Sequence, residues 1–223
     1  MKVYSKCDLL CSDFDCDITS CINFDDQSYE ACNECRRCAV CIFNDYCFDH
    51  ERTTTIDALI DHLKGTTFFT DPASARFHCN YEGGLFEHSM NVFKRLIDLT
   101  KGYGLKWNRK ESPMIIALAH DMCKIGCYIP GSNGGYISNL KAENGHGDLS
   151  VSMVKEVIDI TEEEELCIRW HMGMYEAIGK DKEEQKSIAN AIAKAMEKYP
   201  NTESVRWADM MATHVDEKKE VVG

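Results

Sequence analysis

Residues 115–124 read IIALAHDMCK, an apolar run that ends in an adjacent histidine and aspartate, His120 and Asp121. Such a run predicts a helix in the core, and burying a carboxylate beside an imidazole costs free energy unless a partner compensates. A divalent metal is a common partner for such a pair at the end of an apolar helix. The stretch therefore predicts a metal-binding pair whose remaining ligands come from other parts of the chain.

The composition of the 223-residue chain is that of a globular protein, with 44% hydrophobic and 28% charged residues. No window approaches the ~18 consecutive apolar residues of a membrane span. The amino-terminal residues lack the apolar region of a secretion signal, so we expect a cytoplasmic protein. The formal net charge of −12 disfavours a non-specific nucleic-acid binder, which needs a basic surface, but leaves room for a small phosphorylated substrate because bound metals reverse the local field.

Residues 1–52 form a segment that hydrophobic burial alone cannot order. They hold nine of the thirteen cysteines and 11 acidic against 5 basic side chains, but few aliphatic residues. Without a secretion signal this favours metal ligation over disulfides, and the run CxxCxxCxxC over residues 32–41 suits tetrahedral zinc. An iron–sulfur cluster is the alternative, although the run lacks the wider last step and the proline of such motifs. The expected structural metal ligands are Cys7, Cys11, Cys16, Cys21, Cys32, Cys35, Cys38, Cys41 and Cys47.

Helical periodicity begins after residue 52 and predicts an all-α domain over residues 53–223. Apolar residues three and four apart mark a first helix that Gly65 ends, and a second helix is expected from Leu85 to about Lys101, directly after paired glycines. A stretch rich in Gly, Asn and Ser predicts a short β-hairpin around residues 133–135.

Two further predictions concern how later helices begin. Thr161 and Glu164 have the spacing of a capping box, at the start of a helix that is expected to turn Leu166 and Trp170 inward. Asn201, or the threonine after it, is expected to cap the last helix.

Four more residues that can ligate a metal lie at the edge or on the apolar face of a predicted helix. His88 lies on an apolar stripe, His146 lies between two glycines where a loop re-enters a helix, His171 falls in a last helical turn, and Asp209 shares a face with apolar residues. Each alone has an ordinary explanation, because most buried histidines and aspartates are satisfied by local hydrogen bonds.

Taken together, the ordered set resembles the HD-domain metal-dependent phosphohydrolases. The resemblance covers about residues 66–216, and its motifs are FHCNYEGGLFEHS, ALAHDMCK, NGHGDLS, IRWHMG and WADMMAT. The chain is most similar to small stand-alone HD hydrolases of bacteria and their phages, and to the HD part of a bacterial 3′-to-5′ exonuclease. The resemblance implies an all-α HD-domain bundle with a short β-hairpin insertion, preceded here by a cysteine-rich segment that the family does not explain.

The resemblance also implies two divalent transition metals bound side by side. The implied ligands are His88, His120, Asp121 and Asp209 for the first metal, and His146, His171 and a bridging Asp121 for the second. Imidazole and carboxylate ligands suit Mn, Fe, Zn, Ni or Co better than Ca. Two such cations ~3.5–4 Å apart bind a water between them, lower its pKa and direct the resulting hydroxide at phosphorus.

Three further residues are expected to contact the substrate. Lys124 matches the lysine that follows the HD pair in the family, and it would steady the phosphate oxygens as charge develops. Asp121, the bridging ligand, is the other residue expected to be catalytic. Arg76 and His78 precede the paired glycines, where a contact with the phosphate or the leaving group is expected. The implied reaction is hydrolysis of a phosphoester or phosphoanhydride bond in a nucleotide-type substrate.

Two other functions fit the same residues. Some HD proteins use a closely similar ligand set to activate oxygen at a di-iron centre, although Lys124 favours a hydrolase. A nucleotide-binding module without turnover is the third interpretation, against which the complete ligand set speaks. The charge of −12 favours mononucleotides or short oligonucleotides over long duplexes as substrates. The cysteine-rich segment is expected to brace the domain or bind a protein partner.

Overall fold

The computed structural model describes residues 53–132, 135–139 and 145–217. This part of the chain is mostly helical and carries one two-stranded hairpin, so the expected helical class with a short hairpin is confirmed. The cysteine-rich segment over residues 1–52 and the hairpin turn at Asn133 and Gly134 lie outside the described residues. Within the described ranges, no helix combines the length and the apolar character that crossing a membrane requires.

The elements follow one another with short connections. The helices are α1 Thr54–Lys64, α2 Gly84–Tyr103, α3 Ser112–Ala119, α4 His146–Lys155, α5 Glu162–Arg169, α6 Lys182–Lys198 and α7 Asn201–Met211. The antiparallel strands are β1 Tyr128–Pro130 and β2 Tyr136–Ser138. Short 3₁₀ turns, Met122–Lys124 and Gly173–Ala177, come after α3 and α5, and a π-helix, Ala212–Asp216, continues α7.

Helix α3 is the centre of the core. Every one of its residues is buried, as expected for a helix that is apolar on all sides. Helix α2 packs against α3 and α7, and α5 packs against α3, α4 and α7. The carboxy-terminal end of α3 therefore opens into the middle of the domain, between α2, α5 and α7.

The paired glycines let α2 begin in close contact with the preceding loop. Gly83 has a φ of 83°, and a Cβ atom on Gly84 would lie 2.0 Å from the backbone oxygen of Cys79. A side chain at position 83 would be strained by the positive φ, and a side chain at position 84 would overlap the backbone of Cys79. The second helix expected from Leu85 to about Lys101 is confirmed; it runs to Tyr103.

Helix α5 begins at the expected capping box, but its buried face is not the expected one. The Thr161 hydroxyl accepts from the Glu164 N–H at 3.2 Å, and the Glu164 carboxylate accepts from the Thr161 N–H at 2.8 Å. The prediction that Leu166 and Trp170 face inward is wrong, because both are only half-buried. The buried residues are instead Glu163, Glu164, Cys167 and Ile168. The carboxylate of Glu164 is satisfied there because Arg109 donates two hydrogen bonds to it, at 2.7 and 2.8 Å.

The expected side-chain cap of α7 is also wrong. Asn201 makes no capping hydrogen bond, and Pro200 occupies the N-cap position. The Asn201 amide instead donates to the Lys106 carbonyl at 2.6 Å and to the Glu163 carboxylate at 2.8 Å. The side chain thus ties the start of α7 to α5 and to the loop before α3.

Candidate metal centre

The histidine of the HD pair is oriented by its own helix. Helix α3 ends at Ala119, and His120 follows, fully buried, with its Nδ1 atom 2.8 Å from the Ala117 carbonyl oxygen. A carbonyl oxygen only accepts hydrogen bonds, so Nδ1 carries the proton and Nε2 keeps a free lone pair. This is the state in which imidazole binds a metal.

Two further histidines are held in the same way. His171 is the second residue after the end of α5, and it donates from Nδ1 to the Ile168 carbonyl at 2.7 Å. His88, in the first turns of α2, has its Nδ1 3.0 and 3.2 Å from the two carboxylate oxygens of Glu217. In all three rings, therefore, Nδ1 is bound to an acceptor and Nε2 is left for another partner.

The Nε2 atoms of these histidines converge on Asp121. Its Oδ2 lies 3.5 Å from His88 Nε2 and 3.4 Å from His120 Nε2, and its Oδ1 lies 3.7 Å from His171 Nε2. Asp209, on α7, approaches from the other side, with Oδ1 3.2 Å from His88 Nε2. Five of the six residues that the family resemblance implies as ligands are thus brought together.

The donor atoms have the spacing that one metal ion requires. Bonds of about 2.1 Å place neighbouring ligand atoms about 3.0 Å apart in an octahedron and about 3.4 Å apart in a tetrahedron. The two Nε2 atoms of His88 and His120 are 3.2 Å apart, which lies between these values, as does the contact to Asp209. His88, His120 and Asp121 lie close enough together to hold an ion.

Asp121 and His171 leave two buried polar atoms without a partner. Within the described residues, neither Asp121 Oδ1 nor His171 Nε2 has a hydrogen-bond partner. An orphaned lone pair in the core costs about 1–3 kcal/mol. The two carboxylate oxygens of Asp121 therefore face different neighbours: Oδ2 faces His88 and His120, and Oδ1 faces His171. Each oxygen of this carboxylate thus has at least one imidazole nitrogen beside it, and Oδ2 is also paired with Lys124.

Acidic groups dominate the charge of the cluster. Burial opposes the charged form of His88, but hydrogen bonds to Asp209 and Glu217 raise its pKa to about 10. Burial opposes ionisation of Asp121 as well, but Lys124 and His120 hold its pKa well below the usual value. Burial lowers the pKa of His171 to about 4. The carboxylates therefore stay ionised and favour positive charge between them.

Lys124 is part of the cluster. Its Nζ lies 2.7 Å from Asp121 Oδ2, and its side chain is 12% exposed. Asp121 raises the pKa of this lysine against the effect of burial. Lys124 is thus a fixed cation at the wall of the site.

Glu217 is a site residue that the sequence reasoning missed. Its carboxylate accepts from His88 Nδ1 and from Asn91 Nδ2, the latter at 3.0 Å, and only 1% of its side chain is exposed. The π-helix after α7 returns the chain toward α2, where Arg95 also pairs with Asp216. No local signal marked it, because the π-helix between Asp209 and Glu217 breaks the 3.6-residue period that would place both on one face.

Of the three other expected site residues, His146 and Arg76 lie apart from this cluster, and His78 lies beside it. His146 begins α4 as expected, but it is half-buried and its Nδ1 lies 3.8 Å from Cys123 Sγ. Arg76 is exposed and does not line the cavity described below. His78 does line that cavity, its ring lies 4.8 Å from that of His88, and its buried Nε2 has no hydrogen-bond partner among the described residues.

A cavity of about 580 Å³ connects the cluster to solvent. Asp121 and His171 lie on its wall together with Phe77, Tyr175 and Met210. Its volume is in the range of sites that hold small molecules. Comparisons of the chain with protein-family models, with curated proteins and with solved structures found no match.

Proposed function

We propose that this chain is a metal-dependent phosphohydrolase with an HD-type helical bundle. It would cleave a phosphoester or phosphoanhydride bond in a small nucleotide-type substrate. The observation that carries the proposal is the convergence of the Nε2 atoms of three histidines on one buried aspartate, Asp121. The donor set fits Mn, Fe, Zn, Ni or Co.

The residues divide between two metal positions that share Asp121. His88, His120 and Asp209 would hold the first metal, and His171 with His146 the second; this requires His146 to turn from Cys123 toward the cluster. When bound, such metals polarise phosphate oxygens and lower the pKa of water. Asp121 would hold both positions together through its two carboxylate oxygens.

Lys124 would bind the phosphate group. Its ammonium is held by Asp121 at 2.7 Å and lines the cavity, so it is positioned before the substrate arrives. A fixed cation at this place stabilises the charge that develops on the phosphate oxygens. His78 would supply a second polar contact, because its Nε2 is unpaired and lies beside the cluster.

Phosphate release from a panel of nucleotides, measured on the full chain with each candidate metal, tests the proposal. We expect release from the wild-type chain with two metals bound in the cluster, and none from Asp121→Ala, which removes a ligand from both positions. Asp98→Ala is a matched control, since Asp98 lies on α2 with 56% of its side chain exposed. It should keep full activity.

Three outcomes contradict the proposal. A metal-loaded chain that releases no phosphate from any nucleotide is not a hydrolase of this class. An iron-loaded chain that consumes oxygen is a di-iron oxygenase. Full activity and full metal content in His146→Ala exclude the assignment of the second position.

A further inference from the structure

The mouth of the cavity is built from large apolar side chains that the metal cluster does not need. Phe77 and Tyr175 line it and are 81% and 66% exposed, and Met172 and Met210 line it as well. Single exposed apolar residues are ordinary, but several around one concave site indicate a contact with a ligand or a partner. These side chains share one cavity with Asp121, so a molecule bound at the cluster meets them.

The backbone that carries Phe77 is fixed. The Phe77 N–H donates to the Ser74 hydroxyl at 2.9 Å, and that hydroxyl donates to the His78 carbonyl at 2.7 Å. Ser74 is itself buried. The loop therefore fixes the backbone from which the exposed Phe77 side chain extends, one residue before His78, whose ring lies against that of His88.

The backbone that carries Tyr175 is also held by a short turn. It lies in the 3₁₀ turn Gly173–Ala177, four residues after His171, and its N–H donates to the Met172 carbonyl at 3.2 Å. Gly173 begins that turn with a φ of 55°, and a Cβ atom there would lie 2.7 Å from the side chain of Arg206. The turn thus packs on Arg206, which lines the same cavity.

We propose that Phe77 and Tyr175 form a subsite for a nucleobase, so that the substrate is a nucleotide with its base on these rings and its phosphate at Asp121 and Lys124. The inference rests on the proposed function only for the position of the phosphate. Exposed flat rings bind planar aromatic groups by stacking, largely without regard to base identity. Arg206 and His214 on the same wall offer polar groups to the edge of a base.

A fluorescent probe tests the subsite. The 5′-phosphonate of 2-aminopurine deoxyriboside is added to the full chain with Mn²⁺; its carbon–phosphorus bond resists hydrolysis, and stacking quenches its fluorescence. Phe77→Leu and Tyr175→Leu should each weaken binding roughly 5- to 150-fold and reduce the quenching. Tyr103→Leu is the control, because Tyr103 is 75% exposed and does not line the cavity.

The results separate the subsite from the proposed function. Equal binding by the Phe77, Tyr175 and Tyr103 variants overturns the subsite, as does ribose 5-phosphonate that competes as tightly as the nucleotide probe. Quenching that depends on both rings supports the subsite even where no nucleotide releases phosphate, a result that would exclude only the hydrolase. Phosphate release that is insensitive to both substitutions overturns the subsite alone.

Discussion

Replacing Glu217 with Gln should weaken metal binding while the helices stay folded. The carboxylate accepts from His88 Nδ1 through both oxygens, at 3.0 and 3.2 Å, and Oε1 also accepts from Asn91. In the variant the amide NH₂ replaces one oxygen and faces either the His88 N–H or the Asn91 amide, donor against donor. Loss of such a partner costs about 10- to 100-fold in metal affinity, or about 1.4–2.7 kcal/mol. We expect the lower end, because a glutamine carbonyl oxygen at the Oε1 position still accepts from His88 and Asn91, and only the amide beside it faces the His88 N–H.

Titration of the full chain with Mn²⁺ measures this effect, since thiolates in the cysteine-rich segment bind that ion poorly. Free Mn²⁺ is read by electron paramagnetic resonance. Asp216→Asn is the matched control: it removes the same charge one residue earlier, where the partner is Arg95 and not His88. An affinity of Glu217→Gln within twofold of wild type, or an equal loss in both variants, would refute the role of Glu217 in orienting His88.

Three other predictions concern the scaffold and the cysteine-rich segment. Gly84→Ala should destabilise the fold and weaken Mn²⁺ binding, because its Cβ would lie 2.0 Å from a backbone oxygen. Gly102→Ala, on the same helix, has no atom within 4 Å of its Cβ and should stabilise the fold by about 1 kcal/mol. Urea denaturation measures the free energy of unfolding of both variants. Glu164→Ala should cost about 1–3 kcal/mol in the same assay, since it leaves the buried Ser112 hydroxyl and the half-buried Arg109 without their carboxylate. Exposed Glu162→Ala should change little, and equal losses in the two variants would be contrary to this. Serine at the cysteines of residues 32–41 should remove zinc and spare the Mn²⁺ sites in elemental analysis, and unchanged zinc would exclude that run as a zinc site.

The sequence predicted where the helices begin because helix-start signals involve residues that are close together in the chain. The glycine pair before α2 and the Thr161–Glu164 box each act within a few residues, and the structure has both. His88, His120, Asp121, His171 and Asp209 could likewise be singled out, because each is a polar residue in an apolar helical context.

The predictions that failed depend on partners distant in sequence. Glu164 faces the core because Arg109, 55 residues earlier, pairs with it. The residues around Glu164 therefore do not indicate that this carboxylate is buried. Asn201 bonds to the backbone of Lys106 and not to its own helix. Glu217 finds His88 through a π-helix that helical periodicity does not predict. The sequence therefore identifies most residues of the site from their local context, but it does not predict the hydrogen bonds that orient them.

The three histidines also differ in when the growing chain can make them ready for a metal. His120 and His171 bind carbonyl oxygens three residues earlier, so each ring is oriented as soon as its own helix forms. His88 depends on Glu217, which is 129 residues later in the chain. At about 5–20 residues per second, synthesis takes roughly 6 to 26 s to cover that distance. A nascent chain therefore presents single oriented imidazoles well before it can complete the cluster. If the cluster holds a metal as proposed, tight binding has to wait until Glu217 has been synthesised.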